Sequence, residues 1–343
     1  MTGGQLGRRL RERDLSAAPP ALNLIENRSP GLRAETEALL AEVSPAALGG
    51  EAAGHVIGIT GPPGAGKSTL LSALTAGGRR AGQTVAILAV EPSSKRSGGA
   101  LLGDRARIGT DPADRGVFIR SMAAGERLGG LAPATRVAAQ ALSAAFDLVV
   151  VETVGVGQSE TAVADAADTV AVIVQPGSGD ALQFLKSGIM EIPDVLVVTK
   201  ADLGRIAQRA RRDLHAALRS VGEPSTPVVA VSSIPPRMGI EDLIAALDGH
   251  RAGLDLRARR VRARRLGALA DFHAEHGDRG LRAIGGRRSA ERWLAGQDPA
   301  LDEGALARAL EDRARSGDTS GDRMPDTTRQ ADIESARRAP PGG

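Results

Sequence analysis

Nine residues constrain this chain more than any others: Gly61-Pro62-Pro63-Gly64-Ala65-Gly66-Lys67-Ser68-Thr69, which satisfy G-x-x-x-x-G-K-[ST] in full. An apolar run, Val56-Ile57-Gly58-Ile59-Thr60, precedes them, and a helical pattern with Leu70, Leu71 and Leu74 follows. The order is strand, tight loop, helix. Glycines let the loop turn its backbone N–H groups inward without Cβ clashes. The helix opening near Lys67 adds the positive end of its dipole, so the loop is built to enclose phosphate. Lys67 is placed to reach the β- and γ-phosphates, and Ser68 to bring its hydroxyl to Mg²⁺. The competing reading is a glycine-rich turn without a ligand, which the full motif in this context disfavours.

From about residue 54 to 248 short apolar runs alternate with helical stretches. This predicts strands at Val56–Thr60, Thr84–Val90, Val117–Arg120, Leu148–Glu152, Thr169–Gln175, Val195–Thr199 and Val228–Val231. Near-continuous Val/Ile/Leu runs belong to strands buried on both faces. The expected fold is therefore α/β, a mostly parallel sheet flanked by helices. Four zones are expected: an N-terminal helical extension over 1–50, a phosphate-loop domain over 51–250, C-terminal helices over 251–315 and a disordered tail over 316–343.

Composition narrows the function classes. The chain has no cysteine, which excludes disulfides, thiolate metal sites and cysteine nucleophiles. Four Phe, one Trp and no Tyr leave almost no base-stacking platforms, and the net charge is only +3, so no nucleic-acid partner is expected. The charged N-terminus lacks the apolar stretch of a secretory signal, and no run approaches the roughly 18 apolar residues of a membrane span. A cytoplasmic protein without a membrane partner is the expectation. The seven arginines of Arg251–Arg265 suit a solvated helix face or a dimer arm better than a grip on an acidic partner or a CoA phosphate. His273 and His276, three apart on a helical stretch, read as exposed polar residues.

Metal ligands for a phosphate loop belong at strand ends that face it. Glu152 closes the run Leu148–Val151 and is followed by the flexible Thr153-Val154-Gly155-Val156-Gly157. Glu91 closes Val85–Val90 in the same way, and Asp104 lies in the glycine-rich stretch 97–105. Any one carboxylate alone would more simply cap a loop or pair with a cation; in this setting Glu152 is favoured for metal or catalytic water duty, and Glu91 and Asp104 are evenly balanced. Base selection points to Thr199-Lys200-Ala201-Asp202, which resembles the N-K-x-D element of GTPases with Thr in place of Asn. A carboxylate there accepts two hydrogen bonds from guanine, whereas adenine would leave it desolvated and unpaired. Ser232, Ser233 and Ile234, after the next strand, are placed to back the base.

These motifs together resemble the MeaB/ArgK family, P-loop GTPases associated with methylmalonyl-CoA mutase. The matching stretches are GITGPPGAGKSTL (58–70), SGGALLGDR (97–105), FIRSMA (118–123), LGGLA (128–132), VETVGVGQSE (151–160), QPGSGD (175–180) and LKSGIMEIPDVLVV (185–198). The resemblance implies a homodimeric GTPase chaperone that cycles between GTP and GDP. Such a protein gates adenosylcobalamin delivery to a B12-dependent acyl-CoA mutase and protects that mutase. By carry-over, Ser68, Glu91, Asp104 and Glu152 surround Mg²⁺, and Asp202 reads guanine. Gln175–Asp194 matches a segment coupling nucleotide state to the partner, where Lys186 either pairs with switch carboxylates or simply solvates a helix. Two residues depart from the family pattern: Glu91 stands where Asp is usual, and Thr199 where Asn is. No glutamine after Glu152 is an obvious water-positioning group; Gln158 is the nearest. Slow intrinsic hydrolysis is expected. A nucleotide sensor that scarcely hydrolyses and a metal-insertion GTPase are the alternatives.

Overall fold

A computed structural model describes residues 1–27, 29–91, 108–124, 131–153, 163–177 and 193–316. Asp104, Gln158, Lys186 and the expected disordered tail from 317 onward lie outside those residues.

Seven parallel strands form one sheet in the order β3-β2-β4-β1-β5-β6-β7. They are β1 (His55–Thr60), β2 (Val85–Glu91), β3 (Val117–Ala123), β4 (Leu148–Glu152), β5 (Thr169–Val174), β6 (Val195–Val198) and β7 (Val228–Ala230). All seven expected strands are present. β3 continues to Ala123 rather than ending at Arg120, because Ser121, Met122 and Ala123 pair with Ala89, Val90 and Glu91 of β2. β1 lies at the centre, with Ile59 level with Glu152 of β4 on one side and with Ala171 of β5 on the other. The chain leaves β1 toward β2 and later returns to build β5, β6 and β7 on the opposite side. The loop after β1 therefore sits where the winding reverses, the crevice in which open parallel sheets bind ligands.

One face of the sheet carries Ile57, Ile59, Val85, Ile87, Val150, Ile173 and Val197. The helices α5 (Lys67–Arg80) and α8 (Ile240–Gly253) cover it with Leu70, Leu71, Leu74, Leu243 and Leu247. The other face carries Val56, Leu88, Val90, Val149, Val151, Val170 and Val172. It is covered by α6 (Pro133–Ser143), α7 (Arg205–Val221) and the N-terminal helices α1 (Gly3–Arg11), α2 (Ala18–Glu26) and α3 (Arg33–Glu42). α4 (Pro45–Leu48) leads into the sheet. The core is aliphatic, as the scarcity of aromatics requires; Phe146 and Phe272 are its only fully buried rings among the described residues.

The C-terminal helices are α9 (Leu256–Ala283, broken at Gly277), α10 (Arg287–Ala295) and α11 (Glu303–Ser316), packed around Leu269, Phe272, Leu294, Leu306 and Leu310. The arginine run at the start of α9 is a solvated face only in part: Arg257 and Arg262 are exposed, but others turn inward. Arg260 and Arg264 are 8% and 4% exposed. Arg260 donates to both oxygens of Asp168 at 2.8 and 2.6 Å and to the carbonyls of Ala52 and Gly54. Arg264 forks onto Glu51, and Arg259 reaches Asp194. These arginines answer carboxylates at the amino edge of the sheet, which a helical periodicity alone could not disclose. Arg260, bidentate on Asp168 and with further bonds to two carbonyls, tolerates burial where a lone guanidinium would not.

His55, at the start of β1, meets the Thr169 hydroxyl at 2.8 Å, which in turn meets His250 Nδ1 at 2.9 Å. Burial pushes the His55 imidazole down to about 4, with Arg251, Arg260 and His250 adding to the shift and Asp168 opposing it. The unfolded chain takes up this proton below about pH 6.5 while the folded one refuses it until about pH 4. Stability from this group is therefore complete above the upper value and falls by about 3 kcal/mol as pH drops to the lower one. Urea unfolding at about pH 7.5 and about pH 5 captures roughly 2 kcal/mol of that drop. A His55→Gln variant should show a smaller one, and an equal drop in the variant would refute the assignment.

Candidate functional site

The phosphate-loop residues all lie at the carboxyl edge of β1. Gly61 has φ of 149°, and a Cβ there would stand 2.5 Å from the Ile173 carbonyl oxygen, so no other residue fits against β5. Gly66, at φ of 92°, is the left-handed N-cap from which α5 departs. Between them Pro62, Pro63 and Gly64 form the rim and Ala65 the buried floor. Lys67 is folded back over its own loop, its ammonium donating to the Gly61 carbonyl at 2.7 Å and the Pro62 carbonyl at 3.1 Å. Ser68 and Thr69 begin the first turn of α5, Thr69 exposed at its surface.

Glu152 ends β4 directly beside the loop, and the Ser68 hydroxyl donates to its Oε1 at 3.4 Å. The carboxylate is 4% exposed. Because Val150 faces α5 and Val151 faces α6, Glu152 falls on the α5 side. The same alternation in β2, with Ile87 on the α5 side and Leu88 and Val90 opposite, puts Glu91 there too. Glu91 is 2% exposed and accepts from the Ser121 hydroxyl at 2.8 Å. Ser68, Glu152 and Glu91 thus offer hydroxyl and carboxylate oxygens on one side of the sheet, with no nitrogen or sulfur among them. Such hard donors suit Mg²⁺, which keeps several waters and takes one or two protein oxygens. The residues fit the ion.

β6 delivers Thr199 and Lys200. Lys200 takes a left-handed conformation, φ of 53°, and starts the single 3-10 turn Ala201–Leu203 that leaves Asp202 exposed. The Ala201 N–H donates to the Val231 carbonyl at 2.9 Å, which docks this loop onto the one after β7. In that second loop Ser232 is buried and exchanges backbone hydrogen bonds with Met238, while its hydroxyl reaches the Ile234 carbonyl at 3.4 Å. Ser232 thus shapes the loop, and Ser233 and the exposed Ile234 form its outer surface.

Two hydroxyl contacts escaped the motif reading. Thr199 donates to the Ala65 carbonyl at 2.7 Å, so the residue that opens the Thr199–Asp202 element also holds the floor of the phosphate loop. Thr153, the residue after Glu152, pairs with Thr60 at 2.9 Å just before the loop begins. Motif position marked Thr199; nothing in the sequence marked its target, and nothing marked the Thr60–Thr153 pair or Ser121.

A family model described as "Methylmalonyl Co-A mutase-associated GTPase MeaB" matches residues 18–275 of this chain. The chain belongs to the MeaB family. A relative from Pyrococcus horikoshii, provisionally named a GTPase, is 47% identical over 199 residues, which cover 58% of this chain and 60% of that protein. GTPase ArgK of Escherichia coli is 40% identical over 198 residues, 57% of this chain and 58% of ArgK. The chain therefore spans about three fifths of the length of these two relatives. A crystal structure described as LAO/AO transport system kinase superposes with a TM-score of 0.63 at 28% identity, over 91% of this chain and 97% of that one. Its coverage extends well beyond the seven strands, so the similarity includes helices flanking the MeaB sheet.

The Thr199–Ala65 contact generates a test. Thr199→Val keeps the shape and removes the hydroxyl that donates to the Ala65 carbonyl. Guanine-nucleotide affinity, measured with a fluorescent analogue, should fall about tenfold, while Thr199→Ser should stay near the parent. Unchanged affinity in the valine variant would remove Thr199 from the support of the loop.

Proposed function

We propose that this MeaB-family protein binds GTP at the Gly61–Thr69 loop and hydrolyses it to GDP and phosphate in a Mg²⁺-dependent reaction. The observation that carries the reading is the convergence of three elements at one sheet edge: the loop with Lys67 and Ser68, the carboxylate Glu152 within 3.4 Å of Ser68, and the Thr199–Asp202 element tied to Ala65. Lys67 would exchange its two loop carbonyls for β- and γ-phosphate oxygens. Backbone N–H groups of the loop would hold the β-phosphate in place. Asp202 would accept from the N1–H and 2-amino groups of guanine, with the Lys200 stem along the base. Ser68 and Glu152 would hold Mg²⁺, joined by Glu91 and, outside the described residues, Asp104. The ion would neutralise phosphate charge as it develops in hydrolysis. Lys186 is assigned as a catalytic residue acting when the partner docks.

The partner in this reading is a B12-dependent acyl-CoA mutase of the methylmalonyl-CoA type, in keeping with the family's description. Nucleotide turnover would time adenosylcobalamin delivery to the mutase and its protection, with the protein acting as a homodimer in the cytoplasm. No helix among the described residues is long and apolar enough to cross a membrane. The metal-insertion alternative gains no support from the side chains. Among the described residues one cluster of three His or acidic side chains draws together, Glu275, His276 and Glu311, and there Glu311 is taken up by Arg33 at 2.8 Å.

Two measurements test the reading. Steady-state hydrolysis of GTP should be slow alone and rise by orders of magnitude with the mutase present. An unchanged rate would remove the coupling. Asp202→Asn should lose preference for GTP over ATP by about tenfold or more, since the variant cannot accept both guanine donors. Full retention of that preference would show that another residue reads the base.

A further inference from the structure

We propose that Ser121, on edge strand β3, is a positioning residue for Glu91 and through it sets the affinity of the nucleotide site for Mg²⁺. The inference rests on the reading of Glu91 as part of the Mg²⁺ environment. β2 and β3 run parallel with Ala89 level with Ser121 and Glu91 level with Ala123, so these four residues share the α5 side of the sheet. Across that pairing the Ser121 hydroxyl donates to Glu91 Oε1 at 2.8 Å. Glu carries one more rotatable bond than Asp, and that extra freedom has to be fixed before a carboxylate can serve a metal in one geometry. Ser121 fixes it at the far end of the side chain.

β3 is in turn held from outside. Arg120, the neighbour of Ser121, points to the opposite face. There it donates to Asn23 at 2.9 Å and pairs with Glu26, both on α2 of the N-terminal extension. Met122 packs into the same face, 1% exposed. An edge strand paired on one side only is free to fray; these contacts keep the Ser121 hydroxyl in register with Glu91. The Ala124 N–H bond to the Glu91 carbonyl at 2.7 Å extends the pairing past the end of both strands.

The test is a Mg²⁺ titration of fluorescent-GDP binding to the full chain, with a parallel measurement in EDTA. Ser121→Ala should raise the half-saturating Mg²⁺ concentration about fivefold and leave the EDTA affinity unchanged, and Ser121→Thr should restore the parent value. Glu91→Gln should raise it further. A shift in Glu91→Gln with none in Ser121→Ala overturns the positioning role alone. No shift in either variant overturns the reading of Glu91 on which it rests. An equal loss in EDTA and Mg²⁺ for Ser121→Ala also overturns the proposal, because it assigns the hydroxyl to general integrity of the strand.

Discussion

The loop Gly61–Gly66 joins β1 to α5 without belonging to the ladder of either. It carries a turn of its own, the Ala65 N–H donating to the Pro62 carbonyl at 3.2 Å, and neighbours pin it at both ends. The close approach of Gly61 to Ile173 presses its start against β5. The Thr199 hydroxyl holds the carbonyl of Ala65 at its floor, and α5 fixes its end. The Thr60–Thr153 pair then ties the residue before the loop to the residue after Glu152. The loop, Glu152 and the turn that begins at Thr199 are thus three parts of one hydrogen-bonded unit. A displacement in any of them reaches the other two through one or two bonds. Preorganisation of this kind spares a ligand the cost of ordering its own site.

The two edges of the sheet divide the work. At the carboxyl edge the polar groups gather on the loop after β1, Lys67 on its carbonyls, Thr199 on Ala65 and Ser68 on Glu152. At the amino edge they are directed at one another: Asp168 with Arg260, Glu51 with Arg264, and Asp194 with Arg259 and His250. Replacing a buried ion pair by apolar groups of similar shape is often neutral, whereas removing one partner strands a charge. The amino-edge pairs are therefore better understood as fixing where α9 lies than as a large net source of stability. Asp168 also accepts the Val56 N–H at 2.9 Å, so the helix position is read directly into the central strand.

The fold was legible because its strands are buried on both faces and so appear as unbroken aliphatic runs, with glycine and charge marking their ends. β3 was the least clear of them, and its last residues carry Ser121, whose place depends on pairing with β2 and not on any local preference. The loop and its Lys and Ser were legible because a motif at fixed spacing is a local object. The tertiary polar contacts were not. Thr199 and Ala65 are 134 residues apart, and Arg260 and Asp168 are 92 apart. A hydroxyl or a guanidinium in a sequence carries no mark of its partner, and the arginines of α9 looked like a solvated face because helical spacing cannot distinguish water from a distant carboxylate.

The two departures from the family pattern acquire different meanings once their neighbours are known. Thr199 retains a donor that reaches the loop, so the exchange of an amide for a hydroxyl keeps one bond to Ala65 and gives up whatever a second amide group would have reached. Glu91 is the opposite case: it keeps its carboxylate but lengthens the arm that carries it, and freedom is gained where precision is needed. A longer arm is harmless only if something holds its end, and β3 supplies a hydroxyl at hydrogen-bonding distance. The first departure subtracts a contact and the second adds a requirement. On the proposed reading of Glu91, that difference makes the edge strand, with the N-terminal helices bonded to it through Arg120, part of the site and not merely its border.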